Sequence, residues 1–385
     1  LVKGRCCCKE NLEGGEMPKY IAAFLTMVLL LGGTAQVASA ESDISQGQVQ
    51  EILKEYNDSL QSAYFASNSR SSQNVPVTEG TRQAEGLRTE NVNISSEEIS
   101  ARHIDDGYEI QADVTVDSTV KPEEGTIIYT AGQQREIMTT SWTDRHVLKV
   151  VPSEGGWDIV SDKTIDVADE GNESQTSAED TLSDDAQPSS TDEKGAWSSR
   201  ALDMAKRNFG DNSAGVNYIT LSRYADTWTN KQHEKQMNPK YPVFKNGNCA
   251  NFASQALHEA GLSVTHLWNY STVSPELLTT KSWMNANSNY YYMKNYSHSY
   301  TSLDNVWKAW QGSLLYVDWD SKDQKNEINH AMVVIGVVVK NEKANPVICQ
   351  KTPNRNSITL TESLENAHKQ KRYNMIWYGL QYKYE

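Results

Sequence analysis

Stretches of alternating apolar and polar residues, together with short apolar runs, constrain the fold of this chain more than any other feature. The first half has four such stretches, at residues 108–116, 136–142, 146–151 and 157–162. The second half has four more, at residues 314–319, 330–339, 347–352 and 375–382. A period of two buries one side of each strand and exposes the other, which is typical of antiparallel sheets. The sequence therefore predicts antiparallel strands in both halves.

Two segments have the spacing of amphipathic helices. In residues 48–66 the apolar side chains recur with helical spacing, at Val49, Ile52, Leu53, Tyr56 and Leu60. A second helix is predicted to begin at Cys249, directly after the turn-forming residues 246–248. The predicted fold class is therefore α+β, with Cys249 at a helix N-terminus that packs on an antiparallel sheet.

The start of the chain has the features of a targeting segment. Residues 17–40 combine a basic start, an apolar core at residues 21–31 and small residues before an expected cleavage after Ala40. The apolar core is too short for a comfortable membrane span. We therefore expect an exported protein, secreted or associated with the cell wall, which contacts the membrane only transiently through its signal peptide.

Residues 1–16 fit neither a signal peptide nor a domain. Glu13-Gly14-Gly15-Glu16 is what a purine-rich ribosome-binding site would encode, so we expect translation to begin at Met17. The alternative is that Cys6, Cys7 and Cys8 are translated as a metal or lipid-attachment cluster. Adjacent cysteines cannot all reach one metal well, which disfavours the metal.

An acidic, polar stretch at residues 168–196 divides the rest of the chain. It has too little apolar surface to offset the entropy of ordering, which predicts a flexible linker. The linker would separate an accessory α+β domain at residues 41–167 from a second domain at residues 197–385. We expect the accessory domain to position or shield the second one, and its His103 and His146 to be surface residues.

Charge and composition narrow the expected partners. The formal net charge is −14, so nucleic acid is not an expected partner. Asp318, Asp320 and Asp323 resemble a cation-binding loop, but no glycine makes the sharp turn and no glutamate closes the loop. We expect no metal, no cofactor and a monomeric protein.

Cys249 is the candidate nucleophile. At the first turn of a helix, unpaired backbone amides and the macrodipole favour the thiolate, which is the attacking form. The dipole contributes only about 0.3–1 kcal/mol, less than one pKa unit, so activation also needs a base. His330 opens an apolar strand and is the candidate base, which would later protonate the leaving amine. A cysteine on a helix followed by a histidine on a strand is the order of papain-like hydrolases.

The other groups near the nucleophile leave alternatives open. The backbone N–H of Cys249 is expected to form half of an oxyanion hole, and the Asn248 side chain is a candidate for the other half. Cys349 lies in an apolar strand and is expected to be a small core residue. Because the protein is expected to be exported, a disulfide between Cys249 and Cys349 is the alternative.

Several motifs of the second domain recur together in one known family. They are Asn217-Tyr218-Ile219, Tyr224-Ala225-Asp226-Thr227-Trp228, Asn248-Cys249-Ala250-Asn251-Phe252, Lys281-Ser282-Trp283, Asn329-His330-Ala331 and Thr352-Pro353-Asn354-Arg355. Together they resemble the amidase domain of exported bacterial proteins, in the papain-like group that also contains the NlpC and CHAP peptidoglycan hydrolases. The resemblance implies a papain-like fold and a cysteine amidase or peptidase, with peptidoglycan or a peptide as substrate.

Two departures from the family pattern bear on catalysis. The family usually has Asp-Cys-Thr-Asn-Phe around the cysteine, and Asn248 and Ala250 replace its carboxylate and hydroxyl. The family's Gln-His-Thr appears as Gln350-Lys351-Thr352. A protonated lysine cannot accept the imidazole N–H hydrogen bond that fixes the productive tautomer. The third catalytic role therefore stays open between Gln350, Asn354 and a backbone carbonyl.

Substrate contacts are predicted for four residues, Asn248, Asn251, Trp283 and Tyr292. The aromatic ones belong to a cluster that could line a sugar or peptide groove, with packing in the core as the alternative. Two other functions remain open beside hydrolysis. One is a catalytically impaired wall-binding or interaction module on the same fold, and the other is acyl transfer from the acyl-enzyme to an amine.

Overall fold

The computed structural model describes residues 44–65, 79–165, 188–191, 215–245, 247–320 and 327–383. These residues belong to one compact unit. The predicted signal peptide, the segment before it and the cysteines at positions 6–8 lie outside the described residues. None of the helices in the described ranges has the length and apolar composition needed to cross a membrane.

The helices are mostly short and surround a large sheet. In chain order they are α1 Gln46–Tyr64, α2 Glu79–Ala84, α3 Tyr218–Thr229, α4 Cys249–Glu259, α5 Pro275–Leu278, α6 Lys281–Met284, α7 Ala286–Asn295 and α8 Leu360–Lys369, with a 3₁₀ turn at Val306–Lys308. The predicted first helix is confirmed, and it begins at a capping box in which Ser45 and Gln48 bond each other's backbone N–H. The helix predicted to begin at Cys249 is α4, which is also confirmed.

The strands account for most of the rest of the described chain. They are β1 Leu87–Ile104, β2 Gly107–Pro122, β3 Thr126–Thr130, β4 Gln133–Arg135, β5 Met138–Ser153, β6 Gly156–Ile165, β7 Tyr300–Leu303, β8 Leu314–Asp318, β9 His330–Lys340, β10 Lys343–Gln350, β11 Arg355–Thr359 and β12 Ile376–Tyr382. The patterns at residues 136–142 and 146–151 predicted two strands, but they form the single strand β5. Five strands were not predicted, namely β1, β3, β4, β7 and β11.

The strands form one sheet in the order β1-β2-β5-β11-β10-β9-β8-β12-β7, with β6 beside β5 and β3 beside β9. Every pair among the described strands is antiparallel. The prediction of a mixed α and β fold on an antiparallel sheet is therefore confirmed. Tight turns connect some neighbouring strands, since only two residues separate β1 from β2 and only two separate β9 from β10.

Alternate residues of the central strands separate into two hydrophobic cores. Tyr316, Ala331 and Val333 pack with Cys249 and the other apolar residues of α3, α4 and α7 in what we call the cysteine-side core. Val317 and Met332 pack instead with the apolar residues of α1 in the α1-side core. The period of two along β8 and β9 thus determines which core each side chain enters.

The predicted separation into two domains is not confirmed, because strand pairing joins the two halves. On β5, Trp142 and Ser141 are in register with Arg355 and Asn356 of β11. In addition, β3 pairs with β9 along five residues. Within the described residues, the predicted accessory segment therefore continues the sheet of the second half.

Four residues of the predicted linker are described, and they are docked. Ser189 is buried, and its hydroxyl donates to the Leu303 carbonyl and accepts from the Gly379 N–H. The indole of Trp307 donates to the Thr191 carbonyl. Residues 188–191 are therefore held against β7 and β12, in contrast to the predicted flexibility.

The prediction that His146 is a surface residue is wrong. Its side chain is buried, and Nδ1 lies 3.0 Å from the Tyr56 hydroxyl and 2.9 Å from the Asp162 carboxylate. The alternating pattern did not show that α1 covers this face of β5. The side chain of His103 is exposed, as predicted.

Candidate active site

Cys249 is the first residue of α4, and a network of side-chain amides fixes the chain that leads to it. The Asn248 side chain donates to the Phe244 carbonyl (2.8 Å) and accepts from the Phe244 N–H (3.0 Å). The Asn251 amide donates to Asn248 and to the Pro242 carbonyl. Gly247 adopts a positive φ of 70°, which glycine tolerates better than other residues. These hydrogen bonds fix the position of Asn248, the residue directly before Cys249.

The network continues into the interior below α4. The Oδ1 atom of Asn251 accepts from Gln255 (3.1 Å) and from the indole N–H of Trp283 (2.8 Å). Tyr224 of α3 donates to Gln255 (2.7 Å). Both Asn251 and Trp283 are completely buried. They are structural anchors of the helix, so direct substrate contact, as predicted for them, does not agree with their positions.

Trp283 and Tyr292, which were predicted to line an aromatic groove, are buried in the core. Tyr292 is buried, its ring stacks on Trp268, and its hydroxyl lies 3.1 Å from that of Thr265. Trp268 in turn packs on Trp283, with ring centroids 4.7 Å apart. The alternative of core packing therefore describes Trp283 and Tyr292. The Asn248 side chain is also committed, since its two amide atoms hold the turn before Cys249.

Two strands of the sheet approach the start of α4, namely β8 through Tyr316 and β10 through the residue Thr352 that follows it. Thr352, just after β10, accepts a hydrogen bond from the Asn248 N–H (3.1 Å). On β8, burial holds the pKa of the Tyr316 hydroxyl well above its usual range, and Tyr290 and Cys249 nearby raise it further. The nucleophile candidate therefore lies against one face of the sheet, and its side chain is buried.

His330 is the first residue of β9 and is completely buried. It is in register with Val317, and residues in register share a face of the sheet. Its ring centroid lies 5.9 Å from that of Trp319, which packs against the α1-side core. The register therefore assigns His330 to the α1-side face and Ala331 to the face that carries Cys249.

Lys351 lies on the face that carries Cys249. It follows β10, and its ammonium donates to the carbonyls of His233 (2.7 Å) and Glu234 (2.9 Å), just beyond α3. Burial lowers the pKa of Lys351 to about 7, although Glu234 and Cys349 act in the opposite direction. The sequence identified Lys351 only as a replaced histidine. A low lysine pKa depends on tertiary burial, and no sequence pattern signals it.

The two amides proposed for the third catalytic role bind backbone carbonyls. Gln350 donates to the Pro353 carbonyl at 3.3 Å. Asn354 donates to the Thr229 carbonyl at 2.8 Å and so ties the turn after β10 to the end of α3. These bonds give both residues a structural role, and an orienting role toward His330 stays a prediction.

Cys349 is buried in the same core as Cys249, but it lies on a strand and not at a helix start. It is completely buried, accepts a hydrogen bond from the Ser357 N–H at 3.4 Å, and has a pKa that burial raises to about 12. Neither cysteine forms a disulfide within the part of the chain that the structure describes. The alternative of a disulfide between them is therefore not the arrangement found, and Cys349 is a core residue as expected.

Comparison with known proteins gives one result. Residues 215–376 match the model of the family described as "Putative amidase domain". No curated protein and no solved structure matches the chain. The matched span contains Cys249, His330 and Lys351, and it indicates hydrolysis of an amide bond.

Proposed function

We propose that this protein is an exported cysteine amidase or peptidase that cleaves an amide bond of peptidoglycan. The observation that carries the proposal is the position of Cys249 within the span that matches an amidase domain: it is the first residue of α4, and the N–H of the preceding Asn248 binds Thr352 just after β10. A papain-like relationship and the location outside the cytoplasm belong to the same proposal. They are supported by the order of cysteine and histidine and by the signal-like residues 17–40.

The proposed reaction has two steps at Cys249. The thiolate attacks the amide carbonyl, forming a carbon–sulfur bond, and the leaving amine takes a proton as the carbon–nitrogen bond breaks. Water then hydrolyses the thioester and regenerates the thiol. The backbone N–H of Cys249, at the first turn of α4, is the proposed oxyanion donor. The Asn248 side chain is an unfavourable second donor, since it holds Phe244.

Two ionisable groups are candidates for the base. His330 has the favourable chemistry, because an imidazole ordinarily titrates near neutral pH. Lys351 lies on the face that carries Cys249, where its amine binds the carbonyls of His233 and Glu234, and with a pKa of about 7 it can be neutral under mild conditions. We expect Lys351→Met to remove more activity than His330→Gln and to abolish the rise of rate through pH 7. The opposite ranking would assign the base to His330.

A catalytically impaired wall-binding module is the second candidate function. The observation that favours it is the assignment of His330 to the α1-side face, together with a lysine where the family has a histidine. Such a module would keep the fold and bind wall material without turnover.

The decisive experiment is product analysis on purified peptidoglycan. Residues 41–385, the Cys249→Ala variant and the matched control Cys349→Ala are each incubated with the wall under reducing conditions, and soluble products are identified by mass spectrometry. We expect new fragments from the wild type and from Cys349→Ala but none from Cys249→Ala. The bond cut distinguishes amidase from endopeptidase, and a product joined to an added amine would show acyl transfer. Equal fragments from Cys249→Ala would contradict the proposal, and wall binding without fragments would favour the binding module.

A further inference from the structure

A polar cleft of about 390 Å³ lies on the sheet next to the end of α3. Its floor is formed by β1, β2, β5 and β11, and its wall is the turn at residues 230–232. Asn356 of the floor donates to the Thr229 hydroxyl of α3 (2.8 Å) and lies 3.8 Å from the Cys349 sulfur. The cleft therefore opens on the same face of the sheet on which α3 and α4 pack.

The floor consists of two rows of polar side chains across the strands. One row is Asn91, Thr119 and Thr139. The other is Asn93, Asp117, Ser141 and Asn356. Residues in register share a face, so each row presents its side chains to the cleft.

Two alternate residues, Ser118 and Thr140, also line the cleft, but their hydroxyls bind the buried guanidinium of Arg82. Val92, an alternate residue of β1, is part of the α1-side core. The polar side chains that can bind a ligand are therefore mainly those of the two rows.

Two atoms in the second row lack hydrogen-bond partners among the described residues, namely Ser141 Oγ and Asp117 Oδ1. Ser141 is only 3% exposed. A buried hydroxyl without a partner is costly, and native proteins usually satisfy such groups. The other Asp117 oxygen binds the Lys231 ammonium at 2.9 Å, which fixes the carboxylate with one oxygen left to accept.

The chemistry of the floor identifies the class of ligand. Its volume is within the range of small-molecule sites, but hydroxyl and amide groups line it in place of the usual apolar side chains. The Asp117 carboxylate and the Lys231 ammonium offset each other, so the floor does not select for an anion. A ligand with many hydroxyl groups can both donate to Asp117 and exchange hydrogen bonds with the surrounding amides and hydroxyls. We propose that this cleft is a binding subsite for a glycan.

Contacts lead from the cleft toward Cys249. The turn that forms the wall continues to His233 and Glu234, whose carbonyls bind Lys351. The next residue, Thr352, binds the Asn248 N–H beside the nucleophile. A glycan in the cleft would thus direct its attached peptide along this turn. That direction rests on the proposed function, whereas glycan binding does not.

The test is calorimetric titration of tetra-N-acetylglucosamine into the full chain carrying Cys249→Ala, which prevents turnover. We expect saturable binding that Asp117→Asn weakens about tenfold or more, because it removes a charged acceptor. Ser141→Ala, which changes no charge and little volume, is expected to weaken binding about fivefold. The matched control is Asp113→Asn, on the same strand and paired with Arg145 outside the cleft; it should leave the affinity unchanged.

Three results would overturn the glycan subsite. The folded parent could fail to bind the oligosaccharide, or both Asp117→Asn and Ser141→Ala could bind as tightly as Asp113→Asn. Alternatively, a sugar-free stem tetrapeptide could bind with the same sensitivity to Asp117→Asn, which would make the cleft a peptide site. Because this assay measures no cleavage, a failure of the hydrolysis experiment would not change its outcome.

Discussion

At the scale of single residues, the two thiols differ in position although both are buried in the cysteine-side core. Cys249 begins a helix, whereas Cys349 lies on a strand and has a pKa that burial raises to about 12. The sequence predicted both positions, because a turn followed by an amphipathic stretch predicts a helix start and an apolar strand predicts burial. It could not place Asn251, Trp283 or Tyr292, since whether a polar or aromatic side chain enters the core depends on contacts between distant elements.

We expect the buried Lys351 to make the stability of the protein depend on pH. Its pKa is about 7 in the folded protein and near 10.5 when unfolded, so the unfolded state binds more protons between these values. Wild-type stability should therefore rise with pH from 7 toward 10.5 relative to Lys351→Met. Below pH 7 both states are protonated, and the wild type retains the full penalty of the buried charge. We expect the stability advantage of Lys351→Met to be largest below pH 7 and to diminish above it.

Chemical denaturation at a series of pH values measures this difference. Lys343→Met, at an exposed position on β10, is the matched control and should show no such trend. If the free energy of unfolding of Lys351→Met differs from that of the wild type by the same amount at every pH from 6 to 10, the lysine is not buried as a weak base.

At the scale of elements, the junction of α2, α8 and the sheet depends on one buried cation. Arg82 pairs with Glu362 at 2.9 Å and also donates to Ser118 and Thr140. Glu362 accepts from the Thr359 N–H, so it also caps the start of α8. The capping box could be predicted from Thr359 and Glu362, which have the required spacing. The ion pair could not, because its partners are 280 positions apart.

Arg82→Met should therefore destabilise the protein strongly. Removing one partner leaves Glu362 as an uncompensated buried charge, which costs about 3–5 kcal/mol in comparable cases. Arg88→Met removes an exposed arginine from its pair with Glu90 and should cost about 0–1 kcal/mol. Urea unfolding of the two variants provides the comparison, and similar losses in both would contradict a special role for Arg82.

At the scale of the whole molecule, the continuous sheet makes the two halves interdependent. Besides strand pairing, Arg355 of β11 pairs with Asp144 of β5, and its guanidinium stacks 3.6 Å from the Trp142 ring. Strand patterns predicted the antiparallel sheet in each half. They did not predict that β11 joins β5, because alternation specifies the face of a strand but not its neighbour.

We therefore expect a fragment of residues 197–385 not to fold independently. It would expose the edges of β9 and β11 that β3 and β5 cover in the full chain, together with Arg355. Circular dichroism and thermal unfolding test this, with residues 41–385 as the control. A fragment with a cooperative transition at the same temperature as the longer chain would show that the predicted domain boundary is real.

The central claim is that Cys249 is an activated nucleophile, and the most direct measurement is the pH dependence of its alkylation by iodoacetamide. Mass spectrometry follows Cys249 and Cys349 in the same folded sample, so Cys349 serves as an internal reference. We predict that Cys249 reacts with a midpoint clearly below the ordinary thiol value of about 8.5, while Cys349 stays unmodified. A midpoint at or above the ordinary value, or a rate no higher than that of Cys249 in the denatured chain, would contradict the account.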